Sequence, residues 1–236
     1  ISFYVGAVIL VITCLFTIFR VHEYDPATYA RYHGISEEDN KKGGNWFTLL
    51  KHAPRVFWNV ALVQFFCWFS FQYLSTYAVG AIAKNVWLTA DASSAAYQAA
   101  GNWYGVLAAV QSIAAVIWSY VLAKVPNKYH KLGYGGSLLL GALGFISVFF
   151  VHDQWTLIVS YTLVGIAWAA MNTYPLTIVT NALTGKHMGT YLGLFNGSIC
   201  LPQIVASLLS FALFPLFGHS QVHMFILAGI VMALGA

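Results

Sequence analysis

The sequence predicts an all-α fold, a polytopic bundle of about seven transmembrane helices. Two observations predict it. Of 236 residues, 59% are hydrophobic and only 8% are charged, whereas a water-soluble domain carries about a quarter charged residues. The apolar residues also gather into seven segments, at 1–19, 56–83, 99–123, 133–151, 155–181, 188–217 and 224–236.

A bilayer core of ~30 Å needs about 20 helical residues, so the middle five segments are long enough to span. Inside lipid they must be helices, because no water is there to satisfy backbone groups. The outer two read as cut, one being apolar from Ile1 and the other stopping at Ala236. The chain is therefore expected to be a piece of a longer membrane protein.

The loops set the expected orientation. Arg20, Arg31, Lys41, Lys42, Lys51 and Arg55 lie in 20–55, Lys124, Lys128 and Lys131 in 124–133, and Lys186 in 182–188. The alternate loops hold only Lys84. By the positive-inside rule the first set faces the cytoplasm. Residues 46–54 mix Trp46, Phe47, Leu49 and Leu50 with Lys51 and His52, the make-up of an interfacial helix. Ahead of it, the polar, Gly-ended stretch HGISEEDNKKGG reads as a flexible linker. Three parts follow: a first helix over 1–19, a loop over 20–55, and a six-helix bundle over 56–236.

Several function classes drop out. The seven acidic residues and the eleven Lys and Arg sit in loops or at helix ends. A retinal lysine, a voltage-sensing arginine ladder and a self-contained proton relay each need an ionisable group in mid-membrane. HExxH, GxSxG and Walker patterns are missing, so no enzyme is expected. His219 and His223 are four apart but lack Cys, Asp or Glu company, so they read as interfacial residues rather than a metal site, and no metal or cofactor is expected. Cys14, Cys67 and Cys200 are odd in number and lie in apolar runs, which argues against a disulfide framework. The basic residues form no single patch, so nucleic acid is not an expected partner.

The intramembrane polarity is neutral instead. Gln64, Trp68 and Gln72 recur every four residues on one drifting face. The next segment carries Asn102, Trp103 and Gln111, with a small-residue pair at Gly101 and Gly105. The fifth has Trp168, Asn172, Tyr174 and Pro175, with Thr173, Thr177 and Thr184 along a stripe, and the sixth has Asn196 and Gln203. An unpartnered amide facing lipid costs several kcal/mol, so these side chains must meet other helices or a wet cavity. Amides beside flat indole faces suit an uncharged, hydroxyl-rich ligand. In the sixth segment Gly189, Gly193 and Gly197 form a small-residue ridge expected to receive a neighbouring helix. Pro202 removes a backbone donor and permits a bend.

The stretches LVQFFCWFSFQYLSTYAVGAIAKNVW (62–87), AAGNWYGVLAAVQSIAAVIWS (99–119), KYHKLGYGGSLLLGALGFISVFF (128–150), GIAWAAMNTYPLTIVTNAL (165–183) and MGTYLGLFNGSICLPQI (188–204) occur in that order. Together they resemble the second half of bacterial sucrose/maltose-type sugar transporters of the major facilitator superfamily, related to plant sucrose–proton symporters. The resemblance runs over the whole chain, as family helices six to twelve, with 20–55 as the central cytoplasmic loop. It departs from the family at Lys124, which stands where an acidic residue is usual.

The resemblance implies alternating access in a bacterial inner membrane. Substrate would lie near the midplane, between this half and a missing N-terminal half. The proton gradient would be the driving force, its carrier lying in that other half. The substrate site would draw on Gln64, Trp68, Gln72, Asn102, Gln111, Asn172, Asn196 and Gln203. Packing and gating would fall to Gly101, Gly105, Pro175, Gly189, Gly193, Gly197 and Pro202. Two other readings remain: a sugar sensor or scaffold on the same fold, and a seven-helix receptor.

Overall fold

Lipid leaves a backbone no partner but itself, so each apolar segment closes its own hydrogen bonds as a helix. A computed structural model of the chain describes residues 2–21, 25, 28, 31–32, 46–183 and 188–236. The expected linker ahead of Trp46, the 184–187 stretch, Thr184 and Lys186 lie outside the described residues. Among the described residues all regular structure is helical.

Helix α1 spans Ser2–Arg20 and belongs to one compact unit, Ile1–Asn45. The second unit, Trp46–Ala236, holds the rest. A short α2 (Trp46–Lys51) precedes α3 (Arg55–Val86), α4 (Ala95–Leu122), a 3-10 turn (Asn127–Tyr129), α5 (His130–Ser147), α6 (Leu157–Ala182), α7 (Met188–Leu216) and α8 (Gln221–Leu234). These bounds follow the apolar segments closely.

The loops are built from local hydrogen bonds. Ser94 caps α4 by accepting from Tyr97 N at 3.2 Å. Asp153 Oδ2 accepts from the backbone N–H groups of Trp155 and Thr156, each at 3.0 Å, ahead of α6. Between α7 and α8 the chain turns through Gly218 and His219, both left-handed at φ +63° and +57°. His219 N donates to Phe214 O at 2.9 Å, closing the turn. The His219 ring packs edge-on to Phe214, and His223 lies against Phe149 and Phe217.

Among the described residues three helices are apolar and long enough to cross a membrane: Ala95–Leu122, Leu157–Ala182 and Gly189–Leu216. Five were expected. At 32 residues α3 is about 48 Å long, but Gln64, Trp68, Gln72, Tyr73 and Tyr77 dilute its apolarity. At 18 residues α5 is short, and its start, HKLGYGG, is polar and glycine-rich.

Helix α3 is the spine, packing against α8, α7, α4 and α6, while α5 lies between α6 and α8. The main core draws its bulkiest fully buried aromatic side chains, Tyr73, Tyr161, Tyr174, Phe145 and Phe225, from α3, α5, α6 and α8. A second, smaller core joins Phe57 and Val60 of α3, Val179 and Leu183 at the end of α6, and Phe195 of α7. Around it Tyr191 Oη donates to Leu49 O at 3.2 Å, tying α2 to α7.

Close helix approach does not occur where the sequence predicts it. Gly189, Gly193 and Gly197 look onto open space, as does Gly105, and a Cβ at Gly101 would find only Val79 Cγ1 at an ordinary 3.8 Å. The tight contacts fall elsewhere. A Cβ at Gly165 would collide with the Gln111 carbonyl of α4, and one at Gly144 would sit 2.7 Å from Ser160 O of α6. The ridge fails as a contact within this chain because α7 turns only part of its surface to the bundle. Leu201, Ile204, Leu208 and Phe211 are likewise exposed on it.

Candidate functional site

One turn of α3 after another builds the wall of a cleft. Trp68, Phe71, Gln72 and Ser75 follow the i, i+3, i+4, i+7 stripe of a helix face. From α4 comes a second such stripe, Tyr104, Ala108, Gln111 and Ser112. Trp168 of α6 and Gln203 of α7 complete a half-open cavity of about 340 Å³. Among the described residues, no Asp, Glu, Lys, Arg or His lines it.

Several of its polar groups are held by hydrogen bonds to their own helix or to a neighbouring one. Gln72 Nε2 donates to Ser207 Oγ of α7 at 3.2 Å. Gln203 Nε2 donates back to Ile199 O at 3.1 Å, and Ser112 Oγ to Ala108 O at 2.9 Å. The two indoles meet edge to face, 5.7 Å apart at 75°, and Phe71 packs on Trp168 at 4.8 Å. Trp68 Nε1 is buried without a hydrogen-bond partner among the described residues.

Two further clefts adjoin this one. Toward the end of α4, a groove of about 500 Å³ shares Ser112 and Trp168 with the central cleft and adds Ser119, Tyr120 and Asn172. Along the opposite direction of α3, a third of about 440 Å³ is lined by Thr76, Tyr77, Ser207, Ser210 and Phe214. The Gln72–Ser207 bond lies between the central cleft and this third one.

Of the eight residues expected to bind substrate, Trp68, Gln72, Gln111 and Gln203 share the central cleft. Asn172 lines the adjoining groove, with Nδ2 folded back onto Trp168 O at 2.8 Å. Gln64 is 3% exposed and lines no wall of the central cleft; its Nε2 donates to Met171 O of α6 at 3.1 Å. Each step of four residues rotates the helix by about 40°, so Gln64 stands about 80° from Gln72 and turns inward.

Asn102 and Asn196 are exposed and stand outside the central lining. Nine residues separate Asn102 from Gln111, about 180° of rotation, so the two amides take opposite faces of α4. Asn196 does share a face with Gln203 but lies about 10 Å along the axis.

Tyr104, Ser112 and Trp168 enter the site unannounced by the amide pattern. The i, i+4, i+8 relation of Tyr104, Ala108 and Ser112 around Gln111 is the signal that could have found the first two. Both expected prolines, Pro175 and Pro202, are buried inside α6 and α7.

A neutral cleft between long apolar helices is what remains for comparison with known families. The family model described as Major Facilitator Superfamily matches residues 1–207. The chain belongs to the major facilitator superfamily. No match is found among curated proteins or among solved structures. As a member of this superfamily it is an integral membrane protein and a membrane transporter, working on a substrate in a lipid bilayer. Transport by this superfamily proceeds without covalent chemistry on the substrate.

Proposed function

We propose that this major facilitator chain carries a neutral sugar, of disaccharide size, by alternating access. It forms the C-terminal half of its transporter, with residues 20–55 as the central loop and the basic loops on the cytoplasmic side. One observation carries the reading: three carboxamides, Gln72, Gln111 and Gln203, and two indoles, Trp68 and Trp168, converge from four helices on one uncharged cleft. Carboxamides both donate and accept, matching hydroxyls that do the same. Indole faces bury the C–H face of a sugar ring without demanding a charge. An ionic substrate would find no counter-charge in this wall.

The cleft of about 340 Å³ lies at the lower end of ligand sites, about 300–1,000 Å³, as suits one half of a cavity closed by a second half. Trp68 and Trp168 stack on the sugar, and Gln72, Gln111 and Gln203 bond its hydroxyls. Asn172 meets the sugar in the adjoining groove, on its way along α4 and α6. The proton gradient of a bacterial cytoplasmic membrane drives uptake, through a carrier residue outside this chain.

The test is uptake of labelled disaccharides into membrane vesicles bearing the full-length protein, with and without an imposed proton gradient. Accumulation that collapses when the gradient is dissipated is the expected result. Binding without uptake would replace transport by sensing. Uptake unaffected by neutralising every membrane carboxylate of the other half would remove proton coupling.

A further inference from the structure

Pro175 has no N–H, so the carbonyl four residues earlier, Met171 O, loses its partner within α6. That carbonyl is the one that receives Gln64 Nε2, at 3.1 Å from α3. Gln64 is thus the replacement donor for a proline break in another helix. Its position is equally specific. On α3 it falls between Val60, of the small core, and Cys67, of the main core. On α6 the break falls between Tyr174 of the main core and Val179 of the small one, and on α7 buried Pro202 separates Phe195 from Ala206 in the same way. Among the described residues three helices cross from one core to the other, two at a proline and one at Gln64.

We infer that Gln64 is the latch of a hinge at Pro175, holding the small core in register with the main core and releasing it during transport. Two orphaned atoms supply the other position of the latch. Gln64 Oε1 and Trp68 Nε1 are both buried and without partners among the described residues. They are an acceptor and a donor one helical turn apart on α3, where side chains are neighbours. When the Gln64 amide leaves Met171 O, its oxygen takes the Trp68 N–H. Trp68 lines the central cleft, so a ligand against that indole biases the latch, and the latch biases the end of α6. The hinge therefore has two discrete arrangements that both the cleft and the small core can favour. Gln64 acts through Met171 and is a positioning residue. The consequence for turnover rests on the transport reading above; the hinge itself does not.

Hydrogen exchange on the full-length protein separates the two. In Gln64→Leu, amides of 176–182 should exchange about tenfold faster or more while those of 157–170 keep their rates, a local opening. Pro175→Ala restores an N–H to Met171 O, so adding Gln64→Leu to Pro175→Ala should change exchange less than about twofold. Trp68→Phe removes the alternative donor and should slow exchange at 176–182. In vesicles, Gln64→Leu should lower maximal uptake about tenfold with KM within about twofold, the split expected of a conformational step. Equal acceleration over 157–170 and 176–182 would make Gln64 a general packing residue and overturn the latch. Unchanged exchange with weakened sugar binding would make it a substrate ligand and overturn it equally. The expected exchange pattern in a protein that takes up no sugar would uphold the latch and remove the sugar reading.

Discussion

Gln72 of α3 spends its amide hydrogen on Ser207 of α7, Nε2 to Oγ at 3.2 Å, with Thr76 Oγ1 3.5 Å away. The bond holds together the wall between the central cleft and the one beside Ser210. It also competes with any ligand hydroxyl for the same donor. A neutral hydrogen bond of this kind contributes about 0.5–1.5 kcal/mol. Ser207→Ala should therefore tighten sugar binding by up to about tenfold, by freeing the amide, at 1.4 kcal/mol per decade. Gln72→Ala should weaken it about tenfold. Equilibrium dialysis with labelled disaccharide measures both, and effects of the same sign would disprove the competition.

The Trp68–Trp168 pair sets up a second expectation. Edge-to-face contact at 5.7 Å leaves one indole face turned away from its partner ring. Aromatic pairing contributes about 0.5–1.5 kcal/mol beyond burial, so Trp168→Ala should lower sugar affinity about tenfold and abolish most ligand-induced tryptophan quenching. Trp103 serves as control. Its Nε1 is spent on Gln154 O at 2.9 Å and its ring on Trp155 at the loop end. Trp103→Phe should leave quenching intact.

The sequence made helices and their ends legible because hydrophobic length and loop charge are set by the solvent. It made the stripe Trp68–Gln72 legible because four-residue spacing is a property of one helix. It did not reveal partners. Gln64 shares that spacing, yet about 40° of drift per step turns it to Met171, and only the neighbouring proline explains why an amide is wanted there. Gly189, Gly193 and Gly197 have the spacing of a packing ridge, yet the glycines that admit a neighbouring helix include Gly141, Gly144, Gly165 and Gly229, which do not share that spacing. A helix apolar on every side does not declare which face meets protein and which meets lipid.

That contrast can be measured. At Gly165 a new methyl would strike the Gln111 carbonyl of α4, a backbone atom that cannot rotate away. Overpacking typically costs 1–3 kcal/mol, so Gly165→Ala should lower the melting temperature in detergent by several degrees and α4, which carries Gln111, should loosen from α6. Gly193→Ala adds its methyl to open space and should fall within about 0.5 kcal/mol of the parent, or gain slightly from helix propensity. Equal losses at the two positions would mean that α7 packs closely inside this bundle after all.

Asp153 offers a pH-dependent handle outside the membrane. Its carboxylate accepts from Thr156 N, Trp155 N and Thr156 Oγ1. These bonds, the Thr156 backbone N–H foremost, hold its pKa below the ordinary carboxylate value of 3.8. A depressed folded-state pKa means that the unfolded chain binds the proton more readily. The contribution is complete above the unfolded value, about 3.9, and disappears as pH falls through the lower folded one. Asp153→Ala should therefore melt below the parent at pH 7, and the gap should narrow as pH drops below about 4. The same scan on Asp91→Ala, whose carboxylate binds Ser93 Oγ and Ser93 N, should narrow in the same direction. A gap constant from pH 7 to 3 would show that the carboxylate's charge plays no part in starting α6.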